Sequence, residues 1–369
     1  MRILYGVVGE GMGHAIRSRV IIDHLVAQGN DVEVVVSGRA HDYLKAREGD
    51  HLGVNRIWGL TIVYEDNEVR NFRTVLQNLK GAVAGGWPRN VLSYFQLADE
   101  FRPDVVISDF ESWSFLYGKM HGIPVLSIDN MQILPRCTHP PEVLAGHELD
   151  FQLAKSVVKA KLPGCFHYLV TTFFYPPIRK PRTTLHPPAL RPEIVDATPE
   201  RGEHLLVYQT STSNTELPEL LRACARECRV YGLRRDLTEE VTEGNVRYEP
   251  FSETAFVEDL RTARAVIANG GFTLLSEAVY LHKPVLALPV KKQFEQVLNA
   301  RYLQREGFGV SCEEELDGKQ LGAFLDRVPE FELALAHYAQ DGNAALLSAV
   351  DVQLARAVTE RSAGAVEGW

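Results

Sequence analysis

Val266-Ile-Ala-Asn-Gly-Gly-Phe-Thr-Leu-Leu-Ser-Glu277 reads as a buried strand, a flexible Gly270-Gly271 turn and a helix that starts directly after it. Glycine lets a backbone approach a ligand closely, and the first amides of a helix are unpaired donors at the positive end of its dipole. Such a turn is an anion site suited to phosphate. Thr273 and Glu277 are four residues apart and share one helix face, while Leu274, Ala278 and Leu281 are expected to serve the core. A carboxylate roughly 6 Å along the helix from a phosphate is suited to ribose hydroxyls. A plain strand, turn and helix with a solvated glutamate also produces this fragment.

The next strand separates the two readings. Val285 to Leu288 leads into Pro289-Val-Lys-Lys-Gln-Phe-Glu-Gln296, and a helix is expected over Val297 to Glu306. Both loops then leave the carboxyl edge of one parallel sheet, where ligands of such sheets bind. Gln293, Glu295 and Gln296 supply donors and acceptors suited to sugar hydroxyls.

The ordered set Asn269-Gly-Gly with Glu277, Lys283-Pro-Val-Leu-Ala-Leu-Pro289, and Glu295-Gln-x-x-Asn-Ala300 resembles the nucleotide-sugar signature of the UDP-glycosyltransferase superfamily. It is closer to the branch containing the peptidoglycan lipid-intermediate N-acetylglucosaminyltransferase than to the plant enzymes. The resemblance extends upstream to Val246, Pro250 and Phe251, where the family's backbone meets the base, and downstream to Gly307. It implies a GT-B fold, in which two doubly wound Rossmann-like α/β domains face each other across a cleft. It also implies that Asn269, Gly270, Gly271, Phe272 and Thr273 hold a diphosphate, Glu277 the ribose, and Glu295 with Gln296 the sugar. The plant enzymes' tryptophan-rich segment is absent, and the turn lacks the basic or histidine residue of relatives. Ser211 and Thr212, after the strand Leu205 to Gln209, are a further candidate phosphate contact, with a solvated turn as the alternative.

In the N-terminal half, Gly9-Glu-Gly-Met-Gly-His14 follows a first strand, Arg2 to Val8, and opens a helix. It is one residue short of a dinucleotide fingerprint, because His14 replaces the third glycine. Ser37-Gly38-Arg39, at the end of the second strand, keeps an NADP reading open. The family resemblance accounts for the histidine. It implies that Gly11, Met12 and Gly13 form an acceptor loop and that His14 is general base for the acceptor hydroxyl. A base of this kind needs an orienting partner. Asp109, closing Pro103-Asp-Val-Val-Ile-Ser-Asp109, matches the position of the family's aspartate, with Glu111 and Asp129 as alternatives. A capping histidine and an aspartate that caps the next helix are the structural alternatives.

A length of 369 residues fits two domains. The proline-rich run from Pro176 to Pro199 suits a boundary, since proline continues neither a helix nor a central strand. We expect an acceptor domain over 1–190, a linker over 191–203, a donor domain over 204–343 and a C-terminal helix over 344–369 that packs back on the first domain. Acidic residues outnumber basic ones by 48 to 39, so no global positive field draws the chain to nucleic acid. Five scattered cysteines suit a reducing cytoplasm, and neither Asp-x-Asp nor His-Glu-x-x-His suggests a metal.

The expected partners are a nucleotide diphosphate-sugar, most simply a UDP-sugar, as co-substrate without further cofactor, and a small or lipid-linked hydroxyl acceptor. The family implies direct, inverting transfer independent of metal. Mixed aromatic and basic stretches, Arg70 to Phe95 and Phe173 to Arg182, leave room for peripheral contact with the inner membrane surface. A nucleotide-sugar epimerase and a non-catalytic nucleotide-sugar-binding protein are the rival readings.

Overall fold

The computed structural model describes residues 1–9, 11–57, 64–65, 68–69, 96–209, 216–234 and 236–364. Ser211, Thr212 and the segment Arg70 to Phe95 lie outside the described residues.

Two seven-stranded sheets organise the chain. The first contains β1 (Arg2–Val7), β2 (Asp31–Val36), β3 (Leu52–Arg56), β4 (Val105–Asp109), β5 (Val125–Asp129), β6 (His167–Thr171) and β7 (Thr183–His186). Its order is β3-β2-β1-β4-β5-β6-β7, and every pairing is parallel. Near-continuous apolar runs such as Ile3 to Tyr5 and Val105 to Ile107 are wholly buried, as a sheet covered on both faces requires. The second contains β8 (Leu205–Tyr208), β9 (Cys228–Tyr231), β10 (Val241–Glu243), β11 (Val246–Glu249), β12 (Ala265–Ala268), β13 (Val285–Ala287) and β14 (Gly309–Ser311). Its order is β10-β11-β9-β8-β12-β13-β14, parallel except for the edge strand β10. Both halves are doubly wound, with the order reversing beside β1 and β4 in the first sheet and beside β8 and β12 in the second. Those reversals open crevices at the carboxyl edges, where such sheets bind ligands.

Three elements differ from the sequence reading. The proline-rich run holds β7, which among the described residues pairs with β6 alone, and an edge strand tolerates flanking prolines because one side needs no partner. The helix expected at Val297 starts earlier, at Phe294, so Glu295 and Gln296 stand in its first turn and not on the loop. Backbone bonds from Gln296 and Val297 N–H to the Gln293 carbonyl establish that start. The sequence from Leu217 to Glu227 also predicts a helix, which in the structure stops at Ala223 and leaves an irregular turn before β9.

Helix α1 (Met12–Ala27) follows β1, α2 (Ser112–Met120) follows β4, α3 (Phe272–Tyr280) follows β12 and α4 (Phe294–Arg305) follows β13. The last helix, α5 (Ala344–Ser362), packs on the first domain. Its Leu346, Val350, Leu354 and Ala357 share a core with β1, β2 and α1, and Asp351 accepts a bond from His24. Aromatic stacking joins the halves: Phe173 lies on Phe272 at 6.0 Å and Phe174 on Tyr302 at 3.9 Å between ring centroids. Among the described residues no helix is long and apolar enough to cross a membrane.

Candidate active site

The turn after β1 is shaped by glycine. Gly9 N–H donates to Ser37 Oγ at 3.1 Å, and a Cβ on Gly9 would fall 2.1 Å from the Ser37 carbonyl oxygen. Gly11, with φ of 81°, is the N-cap of α1 and supplies no side-chain acceptor to the first amides. Met12 packs partly buried against the first-domain core. His14 therefore sits in the first helical turn, with its ring directed at the end of β4.

Asp109 ends β4 and is fully buried beside Val7 of β1. Its Oδ1 lies 2.9 Å from His14 Nδ1. Of the three candidate partners it is the one that touches His14. Glu111 caps α2, accepting from the amides of Trp113 and Ser114 at 2.7 Å each. Asp129 accepts from Ser127 Oγ at 2.6 Å and from the Gln132 amide at 2.9 Å, and burial pushes its carboxyl up to about 6. Between Asp109 and Glu111 the chain turns through Phe110, a non-glycine residue at φ 55°, a conformation that costs about 1–3 kcal/mol and is found at functional sites.

Arg17 is a site residue that the sequence reading missed. It lies one helical turn beyond His14 on the same face of α1, and that spacing was the available signal. Its Nε and Nη2 donate to the two Asp109 oxygens at 2.9 and 2.6 Å, and Ser18 Oγ adds a third donor at 2.8 Å. Burial alone would raise the Asp109 carboxyl, but the Arg17 charge and the His14 contact hold it well below the usual carboxylate range. Burial, then the nearby Arg17 charge, lowers His14 below the ordinary histidine value. The imidazole is therefore neutral at neutral pH, as a proton acceptor must be.

The second wall comes from β12 and α3. Gly271 is the N-cap of α3, and neither α1 nor α3 carries a side-chain cap or an acidic residue in its first turn. The two starts face each other, since a Cβ on Gly13 would fall 2.5 Å from Thr273 Oγ1. Two uncapped positive helix ends thus meet at one point, an arrangement that favours an anion. Gly270 is pressed against α4, where a Cβ would come within 2.4 Å of the Gln296 carbonyl oxygen. Asn269 is buried; its Nδ2 donates to the Leu288 carbonyl, and its Oδ1 has no partner among the described residues.

The remaining predicted residues divide. Phe272 belongs to the interdomain core, and Gln296 Oε1 accepts from the Val290 amide at 3.0 Å. Gln293 is the half-buried N-cap of α4, and Phe251 is exposed. Glu295 accepts from Asn130 Nδ2 at 2.8 Å and Asn299 Nδ2 at 3.0 Å, so it ties α4 to the first domain. Glu277 does not present the open carboxylate that the sequence reading expects. It is 2% exposed, and its two oxygens accept from Arg191 Nε and Nη2 at 2.8 and 2.7 Å. Arg191 also donates to Glu253 at 3.0 Å. Among the described residues no cluster of three histidine, cysteine or acidic side chains is placed to hold a metal ion.

Known proteins share this architecture. The family model for "Glycosyl transferase family 1" matches residues 1–329. A protein of Methanosarcina mazei described as an uncharacterized glycosyltransferase is 23% identical over 84% of this chain and 85% of its own. Among solved structures, the glycotransferase of kitacinnamycin aligns with a TM-score of 0.66 at 15% identity, covering 95% of this chain and 98% of that one. The spinosyn rhamnosyltransferase complexed with thymidine diphosphate aligns with a TM-score of 0.61 at 18% identity, covering 95% and 99%. These structures share the two-domain GT-B fold described above.

Proposed function

Because the chain belongs to glycosyl transferase family 1, we propose that it transfers a sugar from a nucleoside diphosphate-sugar to an acceptor hydroxyl, with His14 as general base. The observation that carries this reading is the meeting of the His14–Asp109 pair with the uncapped start of α3. A base and an anion site then stand on opposite walls of one cleft.

In this reading the first domain takes the acceptor and the second the donor. Asp109 holds His14 Nδ1–H, leaving Nε2 to receive the proton as the acceptor oxygen attacks the anomeric carbon. The bond to the diphosphate breaks as the new bond forms. The departing charge is stabilised by the amides at Gly271 to Thr273 and by the α3 dipole. One such displacement inverts the anomeric centre and calls for no metal. Gln293 and Gln296 flank the sugar position. A donor ribose reaches Glu277 only by displacing Arg191, which makes that pair part of the nucleotide wall. UDP and TDP are the donor nucleotides we favour, since solved relatives include one in complex with UDP and one with thymidine diphosphate. A hexose or N-acetylhexosamine is the proposed sugar, and a small or lipid-linked alcohol the acceptor.

The test is incubation with UDP- and TDP-sugars and a mixed library of hydroxyl acceptors, read by mass spectrometry. The expected outcome is an acceptor heavier by one glycosyl residue, with inverted anomeric configuration by NMR and undiminished yield in EDTA. Conversion of the donor to its epimer without any acceptor would replace this reading with the epimerase one.

A further inference from the structure

Asn130, immediately after β5, joins the two halves of the site. Its Oδ1 accepts from Arg17 Nη1 at 2.5 Å and its Nδ2 donates to Glu295 Oε1 at 2.8 Å. Asn299 donates to the same oxygen at 3.0 Å and to the Gly270 carbonyl at 3.1 Å. A continuous line of hydrogen bonds therefore runs from the residue beside the base to the glycine turn of α3. Every donor on it meets an acceptor, and asparagine suits the middle position because its amide offers one of each.

The line ends at Arg17, which faces His14. Its Nδ1 faces two groups, Asp109 Oδ1 at 2.9 Å and Arg17 Nη2 at 2.5 Å. A protonated Nδ1 donates to Asp109 and leaves Nε2 free as the base. An unprotonated Nδ1 accepts from Arg17, and the proton then blocks Nε2. The outcome depends on where the guanidinium stands, and Asp109 and Asn130 are the groups that hold it. We infer that Asn130 and Glu295 are positioning residues through which the donor-binding half sets the base in the acceptor-binding half. Glu295 then makes the readiness of His14 conditional on the two domains being together.

The catalytic meaning of this relay rests on the glycosyl-transfer reading, but its physical core is testable without donor or acceptor. The charges that act on His14 are Asp109 from β4, Arg17 from α1 and Lys161 from the first domain, with Glu295 one link further. Nitrogen-15 NMR of the full-length protein, with the His14 signal assigned by its loss in His14→Ala, gives the titration midpoint and the tautomer. Glu295→Ala releases Asn130, loosens Arg17 and lessens its charge at the ring. The expected result is a rise in the His14 midpoint of about 0.5 pH units or more, with a changed tautomer ratio. Asn130→Ala should do the same, and the double variant should move no further than the larger single effect. Glu295→Gln keeps an accepting oxygen and should titrate as the wild type does.

The relay is overturned if folded Glu295→Ala leaves His14 unchanged, or if Glu295→Gln shifts it as far as alanine does. The two Glu295 variants decide the matter even where Asn130→Ala does not fold. Calorimetric titration of UDP and TDP into the wild type separates the two questions. Binding of neither would sink the transfer reading, while the NMR result would still decide the relay.

Discussion

His14→Ala should lower turnover by about 10²–10⁴-fold while leaving the melting temperature and nucleoside diphosphate binding close to wild type. The side chain is only partly buried, 18% exposed at the carboxyl edge of the first sheet, so its removal opens no large core cavity. What is lost is the proton acceptor. Asp109 and Arg17 remain paired through two hydrogen bonds, so the buried charges beneath the ring stay compensated. Steady-state kinetics with a competent donor and acceptor, beside calorimetry with the diphosphate, is the check. A variant that turns over at the wild-type rate would remove His14 from the chemistry and favour a capping or phosphate-contact role. Loss of diphosphate binding together with turnover would point the same way.

Arg191→Ala should produce the largest loss of stability. Arg191 and Glu277 are 5% and 2% exposed at the side chain, and removing one partner leaves the other charge buried. Breaking such a pair costs about 3–5 kcal/mol, and for a chain of 369 residues the melting temperature should fall by roughly 5 °C. The loss should depend on pH with a definite sign. Burial already raises the Glu277 carboxyl, and Arg191 opposes that rise. Without Arg191 the folded-state value climbs further above the unfolded one. The native state then binds the proton more tightly, so the variant loses stability as pH rises through the folded value. The deficit relative to wild type should therefore be larger at pH 8 than at pH 5, which thermal melts at the two pH values will show.

These two residues also mark how far the chain could be read before its structure was known. The α3 turn, the Gly9-to-His14 loop and the placement of Asp109 were legible because each is a local pattern: a strand, a glycine-permitted turn and a helix start. Asp109 reaches His14 because β1 and β4 are neighbours, and adjacent strands beside a sheet's switch point bring their carboxyl ends together. What stayed hidden depends on distant partners. Nothing near Glu277 in the chain announces Arg191, 86 residues away, and nothing near Glu295 announces Asn130, 165 residues away. Both carboxylates therefore read as open ligand contacts, although the fold had already engaged them. Arg17 was within reach, three residues from His14 on the buried face of α1, but an arginine in a helix that also carries Arg19 and Asp23 reads by default as solvated. The strand Thr183–His186 was obscured by its prolines, which an edge position accommodates.

The cleft between the two sheets is expected to receive a nucleoside diphosphate at the start of α3. Calorimetric titration of UDP, TDP, GDP, ADP and NADP into the wild-type protein tests it most directly. Saturable binding of one nucleoside diphosphate is expected, UDP or TDP first, with NADP silent. Binding of NADP alone would rule out a donor site at α3 and return the Gly9-to-His14 loop to the dinucleotide reading.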